Sequence, residues 1–203
     1  MAVLNPELQD VLQRTTAIDL LDRLGEVSPA SREHCERVGQ LSLLVTTEMS
    51  EVNELAAGFA GSLHDVGKAD SRLKGVVASD RELDDEEIAE VNKFHTEAGA
   101  AWIRSLRVDG KDESLRQEAV IAAQYHHTDP GLLITLNGPT VITRIIQIID
   151  KFDAMQDESR VYRRAGAMSA AQAIVTISTQ LKSSGAFDDV SRFVVNTLED
   201  QYA

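Results

Sequence analysis

Gly138-Pro139-Thr140-Val141-Ile142-Thr143-Arg144-Ile145-Ile146-Gln147-Ile148-Ile149-Asp150-Lys151-Phe152-Asp153-Ala154-Met155 is the stretch on which the fold class turns. Its isoleucines and valine could pass for a strand, because β-branched side chains suit a pleated surface. Its length and its proline-initiated start favour a buried helix over residues 141–155 instead. A charged Asp150 inside so apolar a segment is costly unless it is paired or bound to a metal. Arg144 and Lys151 are nearby candidates for an ordinary ion pair, so the residue alone leaves both readings open.

Outward from this segment the chain reads as helix after helix, with no alternating pattern of the kind a strand requires. Upstream, helices are predicted over residues 6–24, 31–49, 51–66, 84–107 and 113–127. Breaks fall at Gly25 with Ser28-Pro29, at Gly67 as a helix-ending glycine, and at Asp129-Pro130-Gly131. Residues 70–80 read as a connector or short helical piece. Asp84-Asp85-Glu86-Glu87 reads as a solvated helix start, where acids are favoured. Downstream, helices are predicted over 169–182 and 188–201. The expected fold is all-α: a single-domain helical bundle, with residues 1–27 an N-terminal helix packing on the body formed by 28–203.

The bulk composition sets limits on function. A formal charge of −13 argues against binding long nucleic acid, whose phosphates reward clustered Lys and Arg. No run approaches the roughly 20 apolar residues needed to cross a bilayer. The first residues lack the layout of a secretory signal, and the single cysteine, Cys35, allows no internal disulfide. A cytoplasmic location is expected. Cys35 itself reads as a buried helix residue.

The five histidines are more informative in their placement than in their number. His64 is followed directly by Asp65 at a helix end, and His126 and His127 are adjacent at another. His34 and His95 lie within helices. Any one of these is unremarkable, since a lone histidine is more often structural than a ligand. As a set, imidazole nitrogens with carboxylate oxygens suit Fe, Mn, Zn and related divalent ions. Facing helices of a bundle commonly house such centres.

At these residues, from about residue 30 onward, the chain resembles the HD superfamily, and within it the HD-GYP phosphodiesterases that degrade cyclic di-GMP. His34-Cys35-Glu36-Arg37-Val38 matches the family's His-x-x-Arg-Val, and Leu63-His64-Asp65-Val66-Gly67-Lys68 the signature His-Asp with its Gly-Lys ending. His95-Thr96-Glu97-Ala98-Gly99 is similar to His-x-x-x-Gly, and His126-His127 to the family's paired histidines. Asp150-Lys151-Phe152-Asp153-Ala154 follows Asp-x-Phe-Asp-Ala, and Arg160-Val161-Tyr162-Arg163 resembles Arg-Pro-Tyr-Arg.

The resemblance implies that His34, His64, Asp65, His95, His126, His127 and Asp150 ligate two divalent metal ions. Asp65 would bridge them. Fe or Mn is implied first, with Zn, Ni or Mg as alternatives. Asp65 and Lys68 would be catalytic, and Lys68, Arg160 and Arg163 would contact substrate phosphates. The implied reaction is phosphoester hydrolysis by a hydroxide that two metals activate. Its substrate would be a small phosphorylated molecule such as a nucleotide or cyclic dinucleotide, and a homodimer or a signalling-protein partner would fit.

Two departures bear on this. Ala30 stands where the family often has a glutamate for a third metal, so two metals are expected. Thr128-Asp129-Pro130-Gly131-Leu132-Leu133-Ile134 replaces the family's longer segment with its Gly-Tyr-Pro signature, which shapes the substrate site. Two other function classes follow. One is a non-catalytic module that binds a nucleotide or a partner, favoured by the missing loop. The other is a mixed-valent di-iron oxygenase on the same fold, from which the paired histidines and Arg160-Val161-Tyr162-Arg163 lean away.

Overall fold

The computed structural model describes residues 4–77, 81, 83–136, 140–157 and 166–202. Among them there is no strand, and eleven α-helices follow one another. These are α1 (Pro6–Arg14), α2 (Ala17–Val27), α3 (Pro29–Thr46), α4 (Glu54–Leu63), α5 (Lys74–Val77) and α6 (Asp85–Arg104). Then come α7 (Glu113–Tyr125), α8 (Pro130–Leu133), α9 (Val141–Gln156), α10 (Ala170–Ser183) and α11 (Asp189–Tyr202). Single 3-10 turns occupy Val66–Ala69 and Gly110–Asp112.

The segment that decided the fold class is α9. Thr140 caps it by accepting a hydrogen bond from the Thr143 backbone at 3.3 Å. Ile142, Ile145, Ile146, Ile148, Ile149 and Phe152 are all buried, so this helix runs through the core. The acidic run is a helix start as expected. Asp84 and Glu87 form a reciprocal capping box, which satisfies two backbone donors that the first turn would otherwise leave free.

The single helix expected over residues 6–24 is two. The chain breaks at Thr15-Thr16, where Thr16 adopts a left-handed conformation with φ 57°. A β-branched residue is rare there, and no glycine or proline marks the site. Gly25 lies inside α2, which runs on to Val27. Leu8, Val11, Leu12, Leu21 and Leu24 belong to the same hydrophobic cluster as the residues of α4, α7 and α9. Arg14 adds a forked ion pair with Asp112 at the start of α7, its Nε and Nη2 donating at 2.9 and 2.8 Å.

Two close approaches position the histidines. Helices α3 and α4 cross with small residues at the contact: a Cβ on Gly39 would lie 2.1 Å from Ser62 Oγ and 3.0 Å from the Gly58 carbonyl. That proximity brings His34 of α3 against His64 at the end of α4. Gly67 does not cap α4, which already ends at Leu63. Its backbone presses on α6, and a Cβ there would come within 1.9 Å of the His95 carbonyl oxygen and 2.5 Å of the Gly99 nitrogen.

Candidate metal centre

The seven predicted ligands converge. They form two groups, His34 with His64, Asp65 and Asp150, and His95 with His126, His127 and Asp65. Within each group one ligand atom per residue lies within 4.8 Å of all the others. Asp65 is common to both. Its Oδ1 lies 3.1 Å from His95 Nε2 and 3.5 Å from His126 Nε2, and its Oδ2 lies 3.6 Å from His64 Nε2 and 3.8 Å from His34 Nε2. Asp150 Oδ1 closes the first group, 3.0 Å from His34 Nε2 and 3.7 Å from His64 Nε2.

Helix ends supply four of these ligands, His127 among them as the residue after the α7 cap, and helix interiors the other three. His64 and His126 are the C-caps of α4 and α7, and Asp65 precedes the first 3-10 turn. His34, His95 and Asp150 project from within α3, α6 and α9. All but His127 are buried, and His127 faces solvent, leaving the second group open on that side.

Hydrogen bonding fixes how the rings present themselves. His64 Nδ1 lies 2.7 Å from the Gly61 carbonyl, His95 Nδ1 2.6 Å from that of Val91, and His126 Nδ1 3.0 Å from that of Ala122. A carbonyl can only accept, so each Nδ1 carries a proton, and Nε2 of the neutral ring is a bare lone pair. These lone pairs point at carboxylate oxygens and at one another, with His95 Nε2 and His126 Nε2 only 3.3 Å apart. Lone pairs facing lone pairs repel unless a cation lies between them.

Consistently, His64 Nε2 and Asp65 Oδ1 are buried with no hydrogen-bond partner. Orphaned polar atoms of this kind are costly in a protein interior. Borderline nitrogen and hard oxygen donors, in groups of four, match what a divalent transition ion requires. The residues present fit a two-metal centre.

The titration behaviour follows the same geometry. Burial works to lower the His64 pKa, but the charges of Asp65 and Asp150 outweigh it and raise it above the ordinary value. For His95, burial dominates and lowers the pKa, with Asp65 opposing. For Asp65 burial acts upward, and Lys68 and His64 overcome it, holding the carboxyl well below the usual range. Asp150 is likewise held low, by His34 and His64.

Several side chains that sequence reasoning left open now have definite partners. Asp150 does not pair with Arg144, whose guanidinium bonds Asp188 instead. Lys68 donates to Asp65 Oδ2 and sits at the edge of the cluster. Cys35 is a buried helix residue. Arg160 and Arg163 lie outside the described residues. Sequence reasoning gave no role to Asp153, which accepts from His34 Nδ1 at 2.7 Å, or to Arg37, which holds Asp153. Their i,i+3 spacing from Asp150 and His34 was the available signal.

A comparison with known families matches an HD domain to residues 32–155. The chain belongs to the HD-domain family. HD domains are typically metal-dependent phosphohydrolases, and the matched span of this HD domain contains all seven converging residues. No curated protein and no solved structure matches the chain. Among the described residues no helix is long and apolar enough to cross a membrane.

Proposed function

We propose that this HD domain hydrolyses a phosphodiester in a small nucleotide or cyclic dinucleotide through a two-metal centre. The observation that carries the reading is the division of the Asp65 carboxylate between two four-residue groups, one oxygen to each. When bound, a metal pair supplies an acidified water as nucleophile and neutralises charge on the phosphoryl oxygens. His34, His64 and Asp150 would hold one ion, His95, His126 and His127 the other, and Asp65 both.

The chain's own residues supply the remainder. Lys68, three residues beyond Asp65 and hydrogen-bonded to it, brings a point charge to the edge of the cluster, suited to a non-bridging phosphate oxygen. The exposure of His127 gives a substrate its approach to the second group. Beside it, the segment that replaces the Gly-Tyr-Pro loop is the one-turn helix α8, capped by Asp129, which accepts from the Leu132 backbone at 3.0 Å. Gly131 packs against the Ser184 carbonyl, where a Cβ would come within 2.4 Å. This segment is therefore short and pinned, and Leu132 and Ile134 on it are exposed.

Purified protein is expected to cleave bis(p-nitrophenyl) phosphate in the presence of Mn²⁺, and a screen of cyclic dinucleotides and nucleotides with the same protein identifies the substrate. Asp65→Ala is expected to abolish turnover, by about 100-fold or more, because both ions lose a ligand. Undiminished turnover in that variant contradicts the bridging role. Tight binding of metal with no hydrolysis of any phosphoester favours the second reading, a nucleotide-binding module, which the absent Gly-Tyr-Pro segment supports.

A further inference from the structure

His34 is held at both ring nitrogens by one helix. Nε2 lies 3.0 Å from Asp150 Oδ1, and Nδ1 lies 2.7 Å from Asp153 Oδ2. Asp150 and Asp153 are three residues apart on α9 and so share a face. Arg37, three residues beyond His34 on α3, grips the same carboxylate. Its Nε donates to Asp153 Oδ1 at 2.7 Å and its Nη2 to Asp153 Oδ2 at 2.9 Å. Nη2 also donates to Asp157 Oδ2 at 2.9 Å, immediately past the end of α9. An i,i+3 pair on one helix thus closes on an i,i+3 pair on the other.

We propose that Arg37 and Asp153 form a clasp that positions His34 as a metal ligand and keeps Asp153 itself out of the coordination shell. This rests on the two-metal reading above. A carboxylate on the far nitrogen of a ligating imidazole fixes the ring's tautomer and orientation and makes the near nitrogen a better donor. Asp153 does this for His34 while its neighbour Asp150 stays on the Nε2 side. The fork of Arg37 matches both oxygens of Asp153, an arrangement that a lysine ammonium cannot reproduce. Both Asp153 oxygens are then committed to cationic or N–H donors, so of the two acidic residues on this face only Asp150 is left for a metal.

The competing account is that the ion pair merely staples α3 to α9. The two accounts differ in what metal affinity does. Mn²⁺ titration of the full-length protein by calorimetry, with the thermal midpoint of each metal-free variant recorded in parallel, separates them. Asp153→Asn preserves shape and still accepts from Nδ1, but it removes the charge. It is expected to weaken one of two Mn²⁺ sites by about 10-fold and leave the other unchanged, and Asp153→Ala is expected to weaken the same site by about 100-fold. Arg37→Lys, which keeps the charge and is the least disruptive change, is expected to give a smaller loss at that site.

Wild-type affinity at both sites in all three variants, whatever their thermal midpoints, overturns the clasp. Wild-type protein that takes up no Mn²⁺, Fe²⁺ or Zn²⁺ overturns the underlying two-metal reading instead.

Discussion

Asp65 Oδ1 lies 3.1 Å from His95 Nε2, and in the neutral ring, which burial favours, no proton lies between them, because the ring's one proton goes to the Val91 carbonyl through Nδ1. Two electron-rich atoms are held face to face in the interior by two different helical elements. On the other side of the carboxylate His64 donates from Nδ1 to Gly61 and turns Nε2 toward Asp65 Oδ2 at 3.6 Å, where either a second proton on the ring or a cation meets the negative charge. The helices that carry these groups are fixed by their apolar faces, so the repulsion cannot relax by separation. A bound cation turns each such contact from repulsive to attractive.

Metal removal should therefore cost folding stability as well as activity. At free metal about 100 times the dissociation constant, one bound ion adds about 2.7 kcal/mol. For a chain of this size that corresponds to about 5–10 °C in the thermal midpoint. Differential scanning fluorimetry with and without chelator reads the shift. Superimposable melting curves would show that the cluster does not bind metal under those conditions.

The pH dependence above pH 6.5 should differ between the two forms. In the metal-free protein the His64 pKa is raised above 6.5 in the folded state. Its stabilising contribution is therefore complete below the unfolded value, about 6.5, and is lost as pH rises through the folded value. His95, whose pKa is lowered, acts in the other window: the folded state resists its protonation, so stability falls as pH drops below about 6.5. Metal binding requires the bare His64 Nε2, so metal affinity falls as pH drops through the raised pKa. Above pH 6.5 the metal-free midpoint should decline with rising pH, whereas that of the metal-loaded protein should be nearly flat, because bound metal keeps His64 neutral and the gain in metal affinity offsets the lost proton. Parallel slopes in that range would remove His64 from the centre.

Gly67 offers a test far simpler than the centre it supports. Replacing it with alanine pushes a methyl into the backbone of His95 and Gly99, atoms with no freedom to move aside. Gly67→Ala should cost about 1–3 kcal/mol by overpacking, measured by urea unfolding of the metal-free protein. It should also weaken the metal site to which α6 contributes His95. A variant with wild-type stability and metal content would contradict the close packing of that turn onto α6.

Much of the fold and of the site was legible in the sequence because the signals are local. Isoleucine-rich α9, the Asp84–Glu87 cap and the helix-end placement of His64, Asp65, His126 and His127 each follow from a few neighbouring residues. What stayed hidden depends on tertiary contact. The tie between Arg37 and Asp153 spans 116 residues, and nothing near either one names the other. Gly67 has the appearance of a helix-ending glycine, and its true constraint comes from α6, packed against it in space. The break at Thr16 was invisible for another reason: a threonine with positive φ defies the preference that sequence reading relies on.

Anomalous diffraction from crystals of the Mn²⁺-loaded protein shows whether Asp65 bridges two ions. Two anomalous peaks about 3.5–4 Å apart are expected. One should lie among His34, His64 and Asp150, the other among His95, His126 and His127, with Asp65 oxygens touching both. A single peak, or two that do not share Asp65, would rule out the bridge.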